Sequence, residues 1–254
     1  MYRSFFLSIS ICVLISCSVE PVRTVKKPRT EEKTSATVSE EATLKKEQQT
    51  KDSLYRSQDF VDVQSLNANI FIDLKYASPD NFMKQRLYFK LNKAYLQKDV
   101  AERLARCQHY LTEIDTGLHL LIYDALRPVS VQQRMWTALD SIPAARRKNM
   151  VSSPLSKSLH NFGAAVDLTI CRSDGQPLDM GAGYDDFREI AYPSKEMYFF
   201  AKGELTQLHL DNRRLLRQVM RKEGFRNIPK EWWHFDACTR AQASRKYTFL
   251  EEEF

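Results

Sequence analysis

Behind Arg3, apolar residues run almost unbroken from Phe5 to Ile15 and stop at Ser16 and Cys17. A run this short, with a cation before it and small residues after it, predicts a signal peptide over 1–16 rather than a membrane span of about 20 residues. The pattern then vanishes. From Ser18 to about Gln58 the chain is Lys, Glu, Thr, Ser and Gln with few large apolar residues. So little apolar surface cannot offset the entropy of ordering, which predicts a flexible tether over 17–58 and a folded domain over 59–254.

Within the domain, Asn69 to Tyr76 alternates in part and ends at the turn signal Ser78-Pro79-Asp80-Asn81, which predicts a strand. Tyr95, Val100, Leu104, Cys107 and Leu111 recur at helical spacing inside Asn92–Thr116, up to Gly117, and predict the first long helix. Leu118 to Tyr123 is a compact, mostly apolar run and reads as a buried strand; a loop from Asp124 to Pro128 leads to a second helix over Ser130–Leu139. After a polar, basic connection between Pro143 and Lys157, Gly163 to Ile170 reads as another strand. Asp211 or Asn212 can cap a helix whose apolar face holds Leu215, Leu216, Val219 and Met220 and which Gly224 ends. The last strand lies around Trp232–Asp236. Helices and short strands mix without a βαβ rhythm or a repeat, so the fold class is α+β, a small antiparallel sheet flanked by helices.

Composition narrows the compartment and the partners. At 254 residues with 43% hydrophobic residues the chain holds one well-buried domain plus extensions. Leu14-Ile15-Ser16-Cys17 resembles a bacterial lipobox, which would make Cys17 a lipidated first residue and place the protein on the cell envelope. Beyond Cys12 and Cys17, only Cys107, Cys171 and Cys238 remain, with no CxxC pair, so a cysteine zinc site is disfavoured. The net charge of +6 is spread among interleaved acids and bases, which argues against a nucleic-acid partner.

The chemistry concentrates in two segments. His160 opens a stretch in which Gly163 permits a tight turn and Asp167 falls in the following strand, and Glu231 and His234 sit three residues apart beside Trp232 and Trp233. In a regular strand Glu231 and His234 would face opposite ways, so the two can address one site only where the backbone bends. Two imidazoles, a carboxylate and a further acid match catalytic zinc, with three ligands, one open position and a base. Each half also has a plain structural reading, as a hydrogen-bonded loop or as packed core with satisfied polar tips.

Several motifs in order carry a more specific signal: Asp73 to Ala77 with Asp80 to Phe82, Tyr123 to Pro128, Ser158 to Asp167, Met180 to Asp185, Asn212 to Arg214, Gly224-Phe225 and Glu231 to His234. Together they resemble the D-alanyl-D-alanine dipeptidases of the vancomycin-resistance type, within the wider zinc D,D-peptidases, over about Asn69 to Phe235. The resemblance implies a zinc D,D-peptidase-like fold of the hedgehog/D,D-peptidase type and one zinc per chain held by His160, Asp167 and His234. It implies Glu231 as the base for the attacking water and Arg127 as the group that stabilises the oxyanion. It also implies that Asp185 receives the substrate's free amine and that Ser158 and Tyr76 bind its C-terminal carboxylate. Arg127 has a plainer role open to it, in capping a helix or pairing with Asp124; Asp185 could belong to a polar turn and Tyr76 to the core. His109, His119 and His209 read as structural. The chain departs from the family at Asn161-Phe162, where Ser-Arg is common, and at Ala125-Leu126, where Gly-Tyr is common, which bears on the size of the pocket.

These readings point to hydrolysis of a small D,D-dipeptide or peptidoglycan-derived peptide, with membrane attachment through Cys17 and no obligate protein partner. Two competitors stand beside it. A D,D- or L,D-carboxypeptidase acting on stem peptides would use the same chemistry, and a non-catalytic cell-wall-binding lipoprotein would not need the base.

Overall fold

Residues 35–148 and 150–254 are described by a computed structural model. The signal peptide expected over 1–16, Cys17 and the first half of the expected tether lie outside them. Thr43–Phe254 forms one compact unit.

The second half of the expected tether is not a tether. Helix α1 runs Ser35–Arg56, and within Thr43–Arg56 it presents Gln48, Asp52 and Tyr55 at the i, i+4, i+7 spacing of one face. Asp52 accepts from the Lys93 ammonium at 2.8 Å and from the Tyr95 hydroxyl, and Tyr55 is buried with its ring stacked on Tyr95 at 4.1 Å. Composition missed this because a single aromatic and one carboxylate are enough to dock a helix whose other faces are solvated.

Strand β1 (Phe60–Asp62) pairs antiparallel with β3 (Tyr95–Gln97) in a two-stranded sheet. The principal sheet has five strands, with β2 (Phe71–Ile72) at one edge, then β4 (Leu118–Asp124), β5 (Ala165–Arg172), β7 (His234–Asp236) and β6 (Arg226–Asn227). It is antiparallel except at that first edge, where β2 runs parallel to β4. The chain between these two includes β3 and helix α2 (Lys98–Ile114), a crossover long enough to bring the strand back in the same direction, so the sheet expected to be antiparallel is mixed.

Helix α2 starts later than its periodicity suggests, because Tyr95 is taken up by strand pairing with β1. Its buried face, with Val100, Leu104, Cys107 and Leu111, packs on β4 and on helix α6 (Gln207–Lys222). Gln108, buried on the same face, accepts the Leu120 N–H at 2.7 Å, so a helix side chain satisfies a backbone donor of the buried strand. Helix α3 (Val129–Ala138) follows β4 as expected. The basic connection holds a short helix α4 (Ala144–Arg147), and α5 (Glu196–Ala201) and α7 (Arg240–Lys246) complete the set. Helix α6 is capped by Thr206, not by Asp211 or Asn212. The Thr206 hydroxyl accepts from the His209 N–H while the His209 ring accepts from the Thr206 N–H, a reciprocal cap in which His stands where Glu is usual.

Candidate active site and metal centre

The site grows out of one row across the sheet. Asp124 pairs with Asp167 and Asp167 with His234, so three polar residues on neighbouring strands share a face. Asp124 reaches that row because the β4–β5 register shifts between Ile122 and Asp124, leaving two residues of β4 opposite one of β5. Such a bulge re-aims the side chain at the end of a strand.

His160 joins the row from the 3-10 turn Leu159–Phe162 that precedes β5. Ser158 caps this turn, its hydroxyl accepting from the His160 N–H and its own N–H donating to the Asn161 side chain at 2.7 Å. Gly163 ends it at φ +60°, where a Cβ would sit 3.0–3.1 Å from Phe60 and the Gln97 backbone, so glycine avoids both a strained side chain and a tight contact. The His160 Nδ1 donates to the Ala125 carbonyl at 2.7 Å. A carbonyl can only accept, so Nδ1 carries the proton and Nε2 presents a lone pair.

That Nε2 lies 3.2 Å from His234 Nδ1 and 3.4 Å from Asp167 Oδ1, and His234 Nδ1 lies 2.8 Å from Asp167 Oδ1. The three candidate ligand atoms all fall within 4.8 Å of one another. On its far side His234 Nε2 meets Asp236 Oδ1 at 2.9 Å, the carboxylate–imidazole arrangement that orients metal-binding histidines. Burial opposes charge on Asp167, but the two imidazoles hold its carboxyl well below the usual range. Burial likewise opposes a charged His234, and hydrogen bonds to Asp167 and Asp236 outweigh it and push the imidazolium well up. Two nitrogens and an oxygen converging in an acidic, buried spot suit a borderline divalent cation such as zinc, which would take the place of the His234 proton.

Glu231 addresses the same spot because the chain does bend before β7. The Asn227 side chain donates to the carbonyls of Glu231 (2.8 Å) and His234 (2.9 Å), drawing the two ends of the segment together, and the Trp232 indole donates to the Ala182 carbonyl at 3.1 Å. Glu231 Oε2 stands 3.9 Å from His234 Nδ1, and burial pushes its carboxyl up. Arg127 is buried and does pair with Asp124, its Nε donating to Oδ2 at 2.8 Å and its Nη2 to the same oxygen. The pair does not withdraw it from the site, since Nη2 is also 3.9 Å from Asp167 Oδ2. Asp124 further accepts from the Tyr88 hydroxyl at 2.5 Å, which fixes the carboxylate that holds the guanidinium.

Tyr76 donates to Asp185, its hydroxyl 3.2 and 3.1 Å from the two carboxylate oxygens, and burial pushes the Asp185 carboxyl well up. A cleft of about 310 Å³ is lined by Tyr76, Arg127, Ser158, His160, Asp167, Asp185, Glu231 and His234, so every site residue expected within the domain reaches one cavity.

The chain's residues 56–252 match the sequence profile of the peptidase family described as D-ala-D-ala dipeptidase. The chain belongs to that family. It is 32% identical over 196 residues to the D-alanyl-D-alanine dipeptidase of Escherichia coli, covering 77% of this chain and 91% of that one. It is 30% identical over 177 residues to the D-alanyl-D-alanine dipeptidase of Enterococcus faecalis, covering 64% of this chain and 83% of that one. A vancomycin-resistance D,D-pentapeptidase solved with Zn(II) is 14% identical, with a TM-score of 0.37 over 62% of this chain and 81% of that one.

Neither departure from the dipeptidase pattern touches the cleft. Asn161 is buried and donates to the Arg127 carbonyl at 2.7 Å, Phe162 packs on Phe249, and Ala125 and Leu126 are buried away from the lining. The histidines set aside are accounted for: His119 sits between the Asn69 carbonyl and Ser173, His209 closes the α6 cap, and His109 is exposed on α2. Sequence reasoning missed Asp236 and Tyr184. Asp236 was within reach, being two residues from His234 and so on the same face of a strand. Tyr184 donates to Asp167 Oδ2 at 3.1 Å across the fold, and no local spacing announces that.

Proposed function

We propose that this chain hydrolyses the free dipeptide D-Ala-D-Ala with one zinc held by His160, Asp167 and His234. The observation that carries the reading is the convergence of those three side chains with Glu231 and Arg127 in one cleft of a dipeptidase-family chain. When bound, the metal supplies a Lewis acid that polarises a water and the scissile carbonyl. Glu231 takes the proton of the attacking water and returns it to the leaving amine. Arg127, held by Asp124, presents donors to the oxyanion that forms.

Substrate reading falls to the ends of the cleft. Asp185 accepts the free amine, and the Tyr76 hydroxyl, which already meets both of its oxygens, supports a place for Tyr76 at that end rather than on the carboxylate. Ser158 then serves the C-terminal carboxylate. A carboxylate that reads a free amine discriminates against an acylated one, which favours the dipeptidase over a carboxypeptidase. Export through residues 1–16 and attachment through Cys17 would put this chemistry at the cell envelope, and a processed Cys17→Ser variant that stays with the membrane would remove the anchor.

The test is incubation of the zinc-loaded domain with D-Ala-D-Ala and, separately, with an N-acylated tripeptide ending in it. Hydrolysis of the dipeptide alone is the expected result. Equal hydrolysis of both would make the enzyme a carboxypeptidase, and hydrolysis of neither would leave a binding protein.

A further inference from the structure

The residue before Asp185 has no place in the chemistry so far, yet its hydroxyl lies against a proposed metal ligand. Tyr184 Oη is 3.1 Å from Asp167 Oδ2 and 3.4 Å from the Tyr76 hydroxyl. Its ring is wedged among Tyr123, Trp233 and Tyr76, with centroids at 4.9, 5.4 and 6.3 Å. A carboxylate oxygen accepts, so Tyr184 spends its one proton on Asp167, while Tyr76 spends its own on Asp185.

Asp167 has two oxygens with different surroundings. Oδ1 faces the imidazoles, 2.8 Å from His234 Nδ1 and 3.4 Å from His160 Nε2. Oδ2 faces Tyr184, and Arg127 Nη2 at 3.9 Å is beyond hydrogen-bond reach of it. Among the described residues the tyrosine is therefore the hydrogen-bond donor at Oδ2, beside the longer ion pair with Arg127. Its loss leaves the rotation of the carboxylate to the His234 contact at Oδ1 and to that ion pair.

We infer that Tyr184 is a positioning residue of the metal centre, holding Asp167 so that Oδ1 alone is offered to the cation. The inference rests on the proposed zinc reading. The turn at Asp185, φ +59°, gives it a second consequence. Consecutive residues of one loop steady the metal ligand and read the substrate amine, so a displacement of that loop reaches both.

The test is zinc affinity by competition with a chelating dye, on the wild-type protein and on Tyr184→Phe and Tyr76→Phe. Outer partners of metal ligands typically set affinity by about 10- to 100-fold. Tyr184→Phe keeps the ring and loses the donor, so zinc binding weakens by about that factor; Tyr76→Phe, which has no bond to Asp167, leaves it within about 2-fold. A Tyr184→Phe protein that melts lower but binds zinc like wild type would show a packing role only and overturn the inference. Should Tyr184→Phe not fold, replacement of Tyr184 by p-aminophenylalanine, which keeps a donor at the same reach, is compared with replacement by p-methylphenylalanine of similar bulk, and equal zinc affinity in that pair overturns it too. A wild-type protein that binds no zinc would instead sink the zinc reading itself.

Discussion

One wall of the cleft is sheet and another is loop, and they are held by different means. Asp124, Asp167 and His234 stand on β4, β5 and β7, where ladder hydrogen bonds fix each backbone on at least one side. Tyr184 and Asp185 lie between Arg172 and Glu189, where the chain has neither helix nor named strand. That loop hangs on side chains from elsewhere. Buried Arg213 of α6 donates to the Met180 carbonyl at 2.7 Å and to the Ile190 carbonyl at 3.1 Å, Asn212 donates to the Asp179 carbonyl at 2.7 Å, and Trp232 holds Ala182. The difference points to a division of labour: groups that bind the metal need a fixed mutual geometry, which strands and the capped turn before β5 supply, whereas groups that read the substrate can sit on a loop whose anchors are few.

The largest effect comes from cutting into the metal centre, which the sheet wall shares with the turn before β5. His160→Ala or His234→Ala removes one of the three converging donors, and the expected result is loss of the single zinc, measured by metal content after dialysis, together with loss of activity. Full zinc occupancy in both variants would end the assignment of these ligands.

Glu231→Gln comes next. Glutamine is nearly isosteric, so Trp232, Trp233 and the Asn227 clamp, which acts on the backbone, should keep the segment in place. Its amide cannot take the proton of water, and loss of a general base costs on the order of 10²- to 10⁴-fold in rate. Zinc content and melting temperature near wild type with kcat reduced by that factor is the expected outcome. Near-normal kcat with normal zinc would take Glu231 out of the mechanism.

The same contrast governs what could be read from the sequence. Strands β4 and β5 were legible because burial on both faces leaves them mostly apolar, and the His160 and His234 segments stood out as polar islands beside them. Their assignment as ligands came from resemblance to a family, since a His seven residues before an Asp has many plain explanations. What failed depended on distant partners or, in one cap, on an unusual local one. Tyr95 left its helix for β1, the Thr206–His209 cap used an unusual residue, and Thr43–Arg56 was held by contacts to residues 40 and more positions away. Tyr184 was invisible for the same reason, because its one informative bond crosses from loop to sheet.

Arg213→Met probes the loop wall from beneath. It leaves the Met180 and Ile190 carbonyls without their donor, at about 1–3 kcal/mol for each buried group. Two effects oppose that loss. Burial already disfavours the guanidinium, as its lowered pKa indicates, and Glu196 keeps a bidentate partner in Arg217 at 2.7 and 2.8 Å, so no carboxylate is stranded. The net stability loss is therefore expected to be about 1–3 kcal/mol, comparable in free energy with the functional effect. Asp185 sits on the released loop, and a misplaced reading group costs on the order of 10-fold or more in kcat/KM. Denaturant unfolding and kinetics with D-Ala-D-Ala measure the two separately. A protein that loses stability but keeps kcat/KM would mean that the loop is positioned by its other anchors.

The smallest and most discriminating change is Asn212→Ala, one residue away on the same helix. It removes a single hydrogen bond to the Asp179 carbonyl at a half-buried position, where water can replace the donor, so a stability loss of about 0.5–1.5 kcal/mol is expected. Asp179 is not orphaned by the change, because its side chain still accepts from the Gly181 N–H at 2.8 Å and meets His209 Nε2 at 3.1 Å. The turn that starts the loop thus keeps its own bonds, and only its tether to α6 is weakened. If the walls are independent, KM for D-Ala-D-Ala rises by about 2- to 5-fold while zinc affinity holds, a shift in line with one modest bond lost under a loop rather than at the metal. If Tyr184 ties the walls together, the same variant weakens zinc binding slightly and in proportion to the rise in KM. Zinc affinity by dye competition and KM on one preparation separate these outcomes. A KM unchanged within error in Asn212→Ala, alongside a raised KM in Arg213→Met, would assign the loop's position to Arg213 and its remaining anchors without Asn212.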